Sequence, residues 1–381
     1  MKTQLTLAAA IAVGATGAYA GGMDRSGQSI APLFEDGSYV EFSFGIVTPK
    51  VSGAQTGTYD DGAEDPTVVP GLGQSSGNMA DSYVLPSAAY KRDLNDKLSF
   101  ALIWDQPFGA DVNYSHVATP APYVFATSTG TVKSNALTAI GRYKLSDRFA
   151  VHAGVRSVTS TGEVALSNGY TMSIDKQTDF GYLVGASYEI PDIALRAAIT
   201  YSSEITHDFT ATDFTGPHTM TTKLPQSVNL DFQTGIAADT LLMASIRWAD
   251  WTSFDITPAG YAAISPDGDA LVSYDNDTFS YTLGVGRRFS EKLSGSATIG
   301  YEKSQGGYSG NLGPTDGNVS LALGLKYQVT DATAISGGIR YVKIGDAKTE
   351  NPTYPTSPDT TLGDFTDNSA VAVGFKISHS F

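Results

Sequence analysis

The chain has 381 residues, 39 acidic against 24 basic, a net charge of -15 and no cysteine. That charge argues against a nucleic-acid partner, and the missing thiols exclude a disulfide framework, a thiolate metal site and an acylated N-terminal cysteine. Only 17% of residues are charged, against 40 Gly, 20 Tyr and 17 Phe, a composition that suits short alternating strands with aromatic girdles.

At the start, Lys2 precedes an apolar run from Leu5 to Ala15, and Ala18-Tyr19-Ala20 precedes Gly21. This predicts a signal peptide over 1–20 and a mature chain delivered outside the cytoplasm. The run is too short for a membrane helix, and no later stretch of 18 apolar residues occurs. Residues 21–37 follow, more apolar than a mere tail through Ile30, Leu33 and Phe34.

From Ser38 onward the chain alternates with a period of two. Val319, Leu321, Leu323, Leu325, Tyr327 and Val329 form one apolar face, and Phe279, Tyr281, Leu283 and Val285 another. In the last stretch Val371, Val373, Phe375 and Ile377 lead to a terminal Phe381. The opposite faces carry Gly, Ser, Thr, Ala and isolated charges, too small and polar for a packed core. Fourteen strands are predicted, at 38–49, 82–93, 97–108, 132–145, 148–160, 178–190, 192–204, 223–234, 238–250, 277–289, 291–303, 317–330, 332–345 and 368–381. The connections after even-numbered strands are tight and the others are long, including 50–81, 109–131, 251–276 and 346–367. This rhythm predicts an all-β, 14-stranded antiparallel transmembrane barrel over 38–381, multi-pass in a bacterial outer membrane. Short turns and both termini are placed on the periplasmic side. A soluble sandwich or propeller would lack the short-long rhythm.

No enzymatic motif stands out. The five histidines show no metal spacing, and no nucleophile elbow or phosphate loop is present. The reading is therefore a non-enzyme with no cofactor and no metal. Asp267, Asp269, Asp275 and Asp277 lack the spacing of a calcium loop and read as solvated loop acids. An outer-membrane hydrolase would need a His beside a Ser or Asp at the loop rim. If the apolar faces meet lipid, the lumen receives Arg142, Arg156, Arg196, Arg247, Lys326 and Arg340. Arg156, Arg247 and Arg340 lie roughly 20 Å above the short-turn rim, and Arg142, Arg196 and Lys326 about half as high. Two readings stay open: cationic tiers that meet an anionic head-group, or Arg/Glu pairs that brace the lumen. Tyr123-Val-Phe125 offers an apolar capture patch in a loop.

Leu224-Pro225-Gln226-Ser227, Trp248-Ala-Asp-Trp251, Asp277 through Tyr301, Gln106-Pro107-Phe108-Gly109 and the C-terminal strand resemble the FadL family. These are outer-membrane transporters of long-chain fatty acids and other hydrophobic compounds. The resemblance covers essentially the mature chain. It implies a 14-stranded barrel, a hatch over 21–37 with Asp24, Arg25, Ile30, Leu33 and Phe34 inside, and facilitated diffusion with lateral release into the membrane. Pro107, Phe108 and Gly109 become lateral-gate candidates; a proline at an ordinary strand end is the alternative. The 21–37 segment is shorter than in the family's known members and lacks their Asn-Pro-Ala motif. The implied partners are a hydrophobic small molecule or fatty acid, outer-membrane lipid and lipopolysaccharide, and the barrel-assembly machinery through the C-terminal strand. The barrel is expected to be a monomer. A general diffusion porin for small polar solutes is the rival, and an adhesive barrel would have no interior pocket.

Overall fold

The computed structural model describes residues 22–57, 71–114, 123–265, 268–351 and 361–381. The expected signal peptide, the acidic run 60–65 and Asp267 lie outside these residues.

Among the described residues fourteen antiparallel strands form one wall. They are β1 (Tyr39–Lys50), β2 (Tyr83–Asp93), β3 (Leu98–Asp105, continued by Gly109–Asn113), β4 (Thr129–Lys144), β5 (Phe149–Ala165), β6 (Thr171–Ile190) and β7 (Leu195–Ser202, continued by Ile205–Asp213). Next come β8 (Gly216–Leu224, continued by Ser227–Ala237), β9 (Thr240–Ala249), β10 (Thr278–Arg288), β11 (Leu293–Glu302), β12 (Asn318–Gln328), β13 (Thr333–Ile344) and β14 (Ser369–Ser380). β1 pairs with β2 on one side and, from Tyr39↔Ser380 to Lys50↔Ser369, with β14 on the other, which closes the barrel.

The period-two pattern sorts the side chains as the sequence predicts. Leu321, Leu323 and Leu325 on β12 and Val373 and Phe375 on β14 stand exposed, while the intervening Ser320, Ala322 and Ala372 are buried. A belt of Leu, Val, Phe and Tyr running around the wall is costly in water and matched in lipid, where closure leaves no bare strand edge. Strand ends agree with the predicted spans except around β3 to β8, which reach further. The long connections expected after β5 and β7 are a correction: only residues 166–170 and 214–215 link those strands. The physical reason is a Thr-rich alternating run, Thr206 to Thr222, whose β-branched side chains favour continued pairing, with Gly216 at φ 90 supplying the turn.

Among the described residues, two ladders in the wall part over long stretches, 81–87 along β2 and 175–182 along β6. β2 and β3 pair from Asp93↔Ser99 up to Ala88↔Trp104, separate, and meet again at the bridge Ala80↔Val112. Ala80 lies eight residues before Ala88, and Val112 eight after Trp104, so the register is the same above and below the gap. Both rims carry a proline, Pro86 and Pro107, with no N–H to offer a ladder. Against β4, the three residues Gln106–Phe108 face only Ser134 and Asn135, a bulge that bends β3 away from its neighbours. β6 and β7 likewise pair up to Leu183↔Ser202 and resume at Ile174↔Ala211, nine residues on along each strand.

Residues 22–37 pack on the inward faces of the wall. Ile30 and Leu33 are buried with Ala89, Ala101, Ile103, Ile140 and Leu183 of β2, β3, β4 and β6. Phe34 makes an edge contact with His152 and lies beneath the guanidinium groups of Arg142 and Arg196. On the long-connection side, Gly53–Gln55, Thr361–Phe365, Ala347–Glu350 and Tyr308–Ser309 form a four-stranded sheet.

Replacing Leu323 with Arg should destabilise the barrel by about 2–4 kcal/mol, since a charge then faces the hydrocarbon. Phe at the same position, which suits hydrocarbon, should cost much less. Urea unfolding in lipid vesicles measures both, and equal losses would contradict the assigned faces.

Candidate functional site

The site grows from residues 22–28, which lie across the β2–β3 gap. Arg25 N–H donates to Pro107 O (2.7 Å) and Gly109 N–H donates to Met23 O (2.9 Å), so the segment supplies backbone partners that β2 does not. The Arg25 guanidinium spans the gap: it donates to Asp111 on β3 (2.6 Å) and sits 3.9 Å from the ring centroid of Tyr83 on β2. A Cβ at Gly109 would lie 2.7 Å from that guanidinium, which explains why glycine stands there. Phe108 is held from the other side, its N–H donating to Ser134 Oγ (2.9 Å) and its carbonyl accepting from the same hydroxyl (2.6 Å).

Charge fixes the segment to the far wall. Asp24 is paired with Arg247 of β9 at 2.6 Å, both almost completely buried. Arg247 also donates to Asn229 (2.7 Å), Asn229 donates to Gly27 O (2.9 Å), and Ser227 donates to Gln28 (2.9 Å). Ser26 donates to Asp105 of β3. Each buried ion therefore has an opposite charge or donors around it, the condition under which burial is tolerated.

Above this segment lies a cavity with a predominantly apolar lining. Met23 and Phe108 line it, with Val132, Val164, Phe209 and Leu224 from the wall and Phe254 and Tyr274 from the β9–β10 connection. Trp251 packs edge-on against Phe108 (5.9 Å between centroids), and Gly22, at φ 73, passes so close beneath its ring that a Cβ has no room. The cavity and the gap thus share Met23 and Phe108.

One polar cluster touches this apolar space. His207 Nδ1 lies 2.7 Å from Asp179 Oδ2, and His207 Nε2 lies 3.5 Å from Ser160 Oγ. Thr222 stands directly opposite His207 in the β7–β8 register, and its hydroxyl is buried with no partner. Ser160 and Thr222 both line the cavity. A His beside both a Ser and an Asp is thus present, in the wall between β5, β6 and β7 rather than at the loop rim.

The residues expected from sequence fall into separate groups. Asp24, Arg25, Pro107, Phe108, Gly109 and Arg247 come together at the gap, with Arg156 alongside, donating to Thr138 (2.8 Å). Arg142 pairs with Glu189 (2.7 Å), and Arg196 donates to Gln233 (3.1 Å), both near Phe34. Glu35 sits in the field of Lys376, Lys326 and Arg196, and Lys376 pairs with Glu41 at 3.0 Å. Arg340 stands apart on β13, its Nε buried without a partner. None of Arg142, Arg156, Arg196, Arg247, Lys326 or Arg340 lines the cavity. Tyr123 is buried rather than presented to solvent, stacked on Tyr114 with Phe125 beside it, and burial pushes its hydroxyl up to about 12. Sequence reading missed Ser160, His207, Asp179 and Thr222. The available signal was His207 sharing strand parity with Ile205 and Phe209, which places it on an inward face.

A closed lipid-belted barrel whose lumen holds its own N-terminal segment beneath an apolar cavity defines an outer-membrane channel. The chain belongs to the family of outer membrane protein transport proteins (OMPP1/FadL/TodX), whose profile matches residues 32–381. Among solved structures it is similar to a Pseudomonas aeruginosa FadL homologue (TM-score 0.71, 16% identity, 92% of each chain covered). It is also similar to the Pseudomonas putida toluene transporter TodX (TM-score 0.61, 13% identity, 96% of this chain and 98% of that one). The Ralstonia pickettii toluene transporter TbuX is a third (TM-score 0.56, 11% identity, 92% and 90%). No curated protein matches the chain.

Replacing Asp24 with Ala leaves the Arg247 guanidinium buried without its counter-charge, a loss of about 3 kcal/mol or more in docking residues 22–28. Trypsin should then cut after Arg25 in folded, heat-modifiable protein, while the parent resists. Equal resistance of the two proteins would show that this ion pair does not hold the segment.

Proposed function

We propose that this channel takes up hydrophobic compounds into the apolar cavity and releases them sideways into the membrane through the β2–β3 gap. Residues 21–37 serve as its hatch. In this reading the long connections face outward, the short turns and both termini face the periplasm, and residues 1–20 are removed on export. One observation carries the reading: Met23 and Phe108 line the cavity and also form the gap. A small shift of Arg25 and its neighbours therefore joins the two without moving the barrel. Lateral exit suits such a ligand because it never has to enter water.

Arg25 and Arg247, which hold the segment that carries Met23, already have carboxylate partners, and this favours neutral ligands. The toluene transporters among the similar structures support the same ligand class. Long-chain fatty acids are the second reading, favoured by the partnerless Nε of Arg340 on the inward face of β13. An open diffusion porin fits less well, because residues 22–37 and the side chains around them occupy the lumen.

Uptake of radiolabelled toluene, oleate and a small sugar by cells producing the protein tests the proposal. Toluene uptake should exceed that of cells with an empty vector, and sugar uptake should not. Pro86 and Gln106 face each other across the gap in the unbroken register; cysteines there joined by a short bis-maleimide should abolish uptake yet preserve binding to purified protein. Uptake that survives the cross-link would refute lateral release.

A further inference from the structure

Hydrogen-bonding arithmetic at Ser160, His207 and Thr222 says more about the ligand than the apolar lining does. A carboxylate only accepts, so the 2.7 Å contact with Asp179 places the proton of neutral His207 on Nδ1. His207 Nε2 is then an acceptor, and the Ser160 hydroxyl, 3.5 Å away, is the donor that faces it. With its proton so directed, Ser160 Oγ presents only lone pairs to the cavity. Thr222, 3% exposed, lines the same cavity, and its hydroxyl has no partner within the protein.

We propose that Ser160 and Thr222, oriented by His207 and Asp179, form a subsite for one hydroxyl group on an otherwise apolar ligand, such as a phenol or an alcohol. This rests on the reading of the cavity as the transport pocket. A ligand hydroxyl donates to Ser160 Oγ and accepts from Thr222 Oγ1, which satisfies all three groups. A carbonyl accepts from Thr222 but leaves Ser160 without a donor. A carboxylate brings negative charge against the Ser160 lone pairs, with no cation among the described lining residues and with Glu163 among them. A pure hydrocarbon offers Thr222 neither a donor nor an acceptor. The Ser-His-Asp order suggests a hydrolase at first sight. Ser160, however, lies in register with Ser134 on β4 and Gln177 on β6, an extended position rather than a sharp turn that would present a nucleophile. Asp179 and His207 have a second consequence: their side chains bridge β6 and β7 within the interrupted part of that ladder.

The test compares p-cresol with p-xylene, which differ by a hydroxyl for a methyl, and with 4-methylbenzoate. Binding is measured by calorimetry on folded full-length protein in detergent. Thr222→Val keeps the shape and β-branching of the residue and removes only the hydroxyl; Ser160→Ala removes the acceptor. Each variant should weaken p-cresol roughly three- to tenfold, leave p-xylene within about twofold, and leave 4-methylbenzoate bound far more weakly than p-cresol in every protein. If both aromatics bind but neither variant changes p-cresol, the subsite is wrong while the pocket stands. Equal weakening of p-cresol and p-xylene would assign these residues to packing and also overturn the subsite. Failure of both aromatics to bind saturably would remove the transport pocket and the subsite together.

Discussion

Hydrocarbon offers no hydrogen bonds, so every backbone N–H and C=O at membrane depth must find its partner within the protein. The closed register of β1 on β14 answers that demand around most of the wall. Where two ladders lapse, the demand falls on something else. At the first, residues 23–25 and the Ser134 hydroxyl supply the missing bonds to Pro107, Phe108 and Gly109. At the second, Ser203 and the His207–Asp179 contact link the neighbouring strands. The segment inside the barrel is thus held partly because the wall around it is incomplete.

Charge and apolar packing divide the lumen between them. Near the short-turn rim, Glu35, Glu41 and Glu189 meet Lys376, Arg196 and Arg142 around the ring of Phe34. Around the middle, Asp24 and Asp105 meet Arg247 and Arg156. Above them the interior turns apolar, and the cavity begins where the ion pairs end. An interior that changes character in this way sets an apolar chamber beside a charged one.

The barrel was legible in the sequence because its determinant is local: period-two alternation writes each strand independently, and short turns mark one rim. The overreach of β3 to β8 was not, since Thr-rich runs such as Thr206 to Thr222 read as loop by polarity and as strand by shape. The gap was half legible. Pro107 and Gly109 mark it in the sequence, but that Arg25 reaches between Tyr83 and Asp111 depends on chain segments 58 and 86 residues away. The Ser160, His207 and Thr222 cluster draws on three strands, and only register brings it together. Ion pairing inside the lumen was foreseen as one of two roles for the cations, yet which acid each would meet rested on the path of residues 22–37.

The unchanged register on either side of each interruption sets how such a wall can move. Had the strands slipped by even one residue, closing a gap would reverse the faces of every side chain beyond it. Here the rims already stand in phase, like two halves of a zip parted in the middle while both ends stay engaged. Restoring either ladder would need no strand to slide, and it would leave the closure of β1 on β14 untouched.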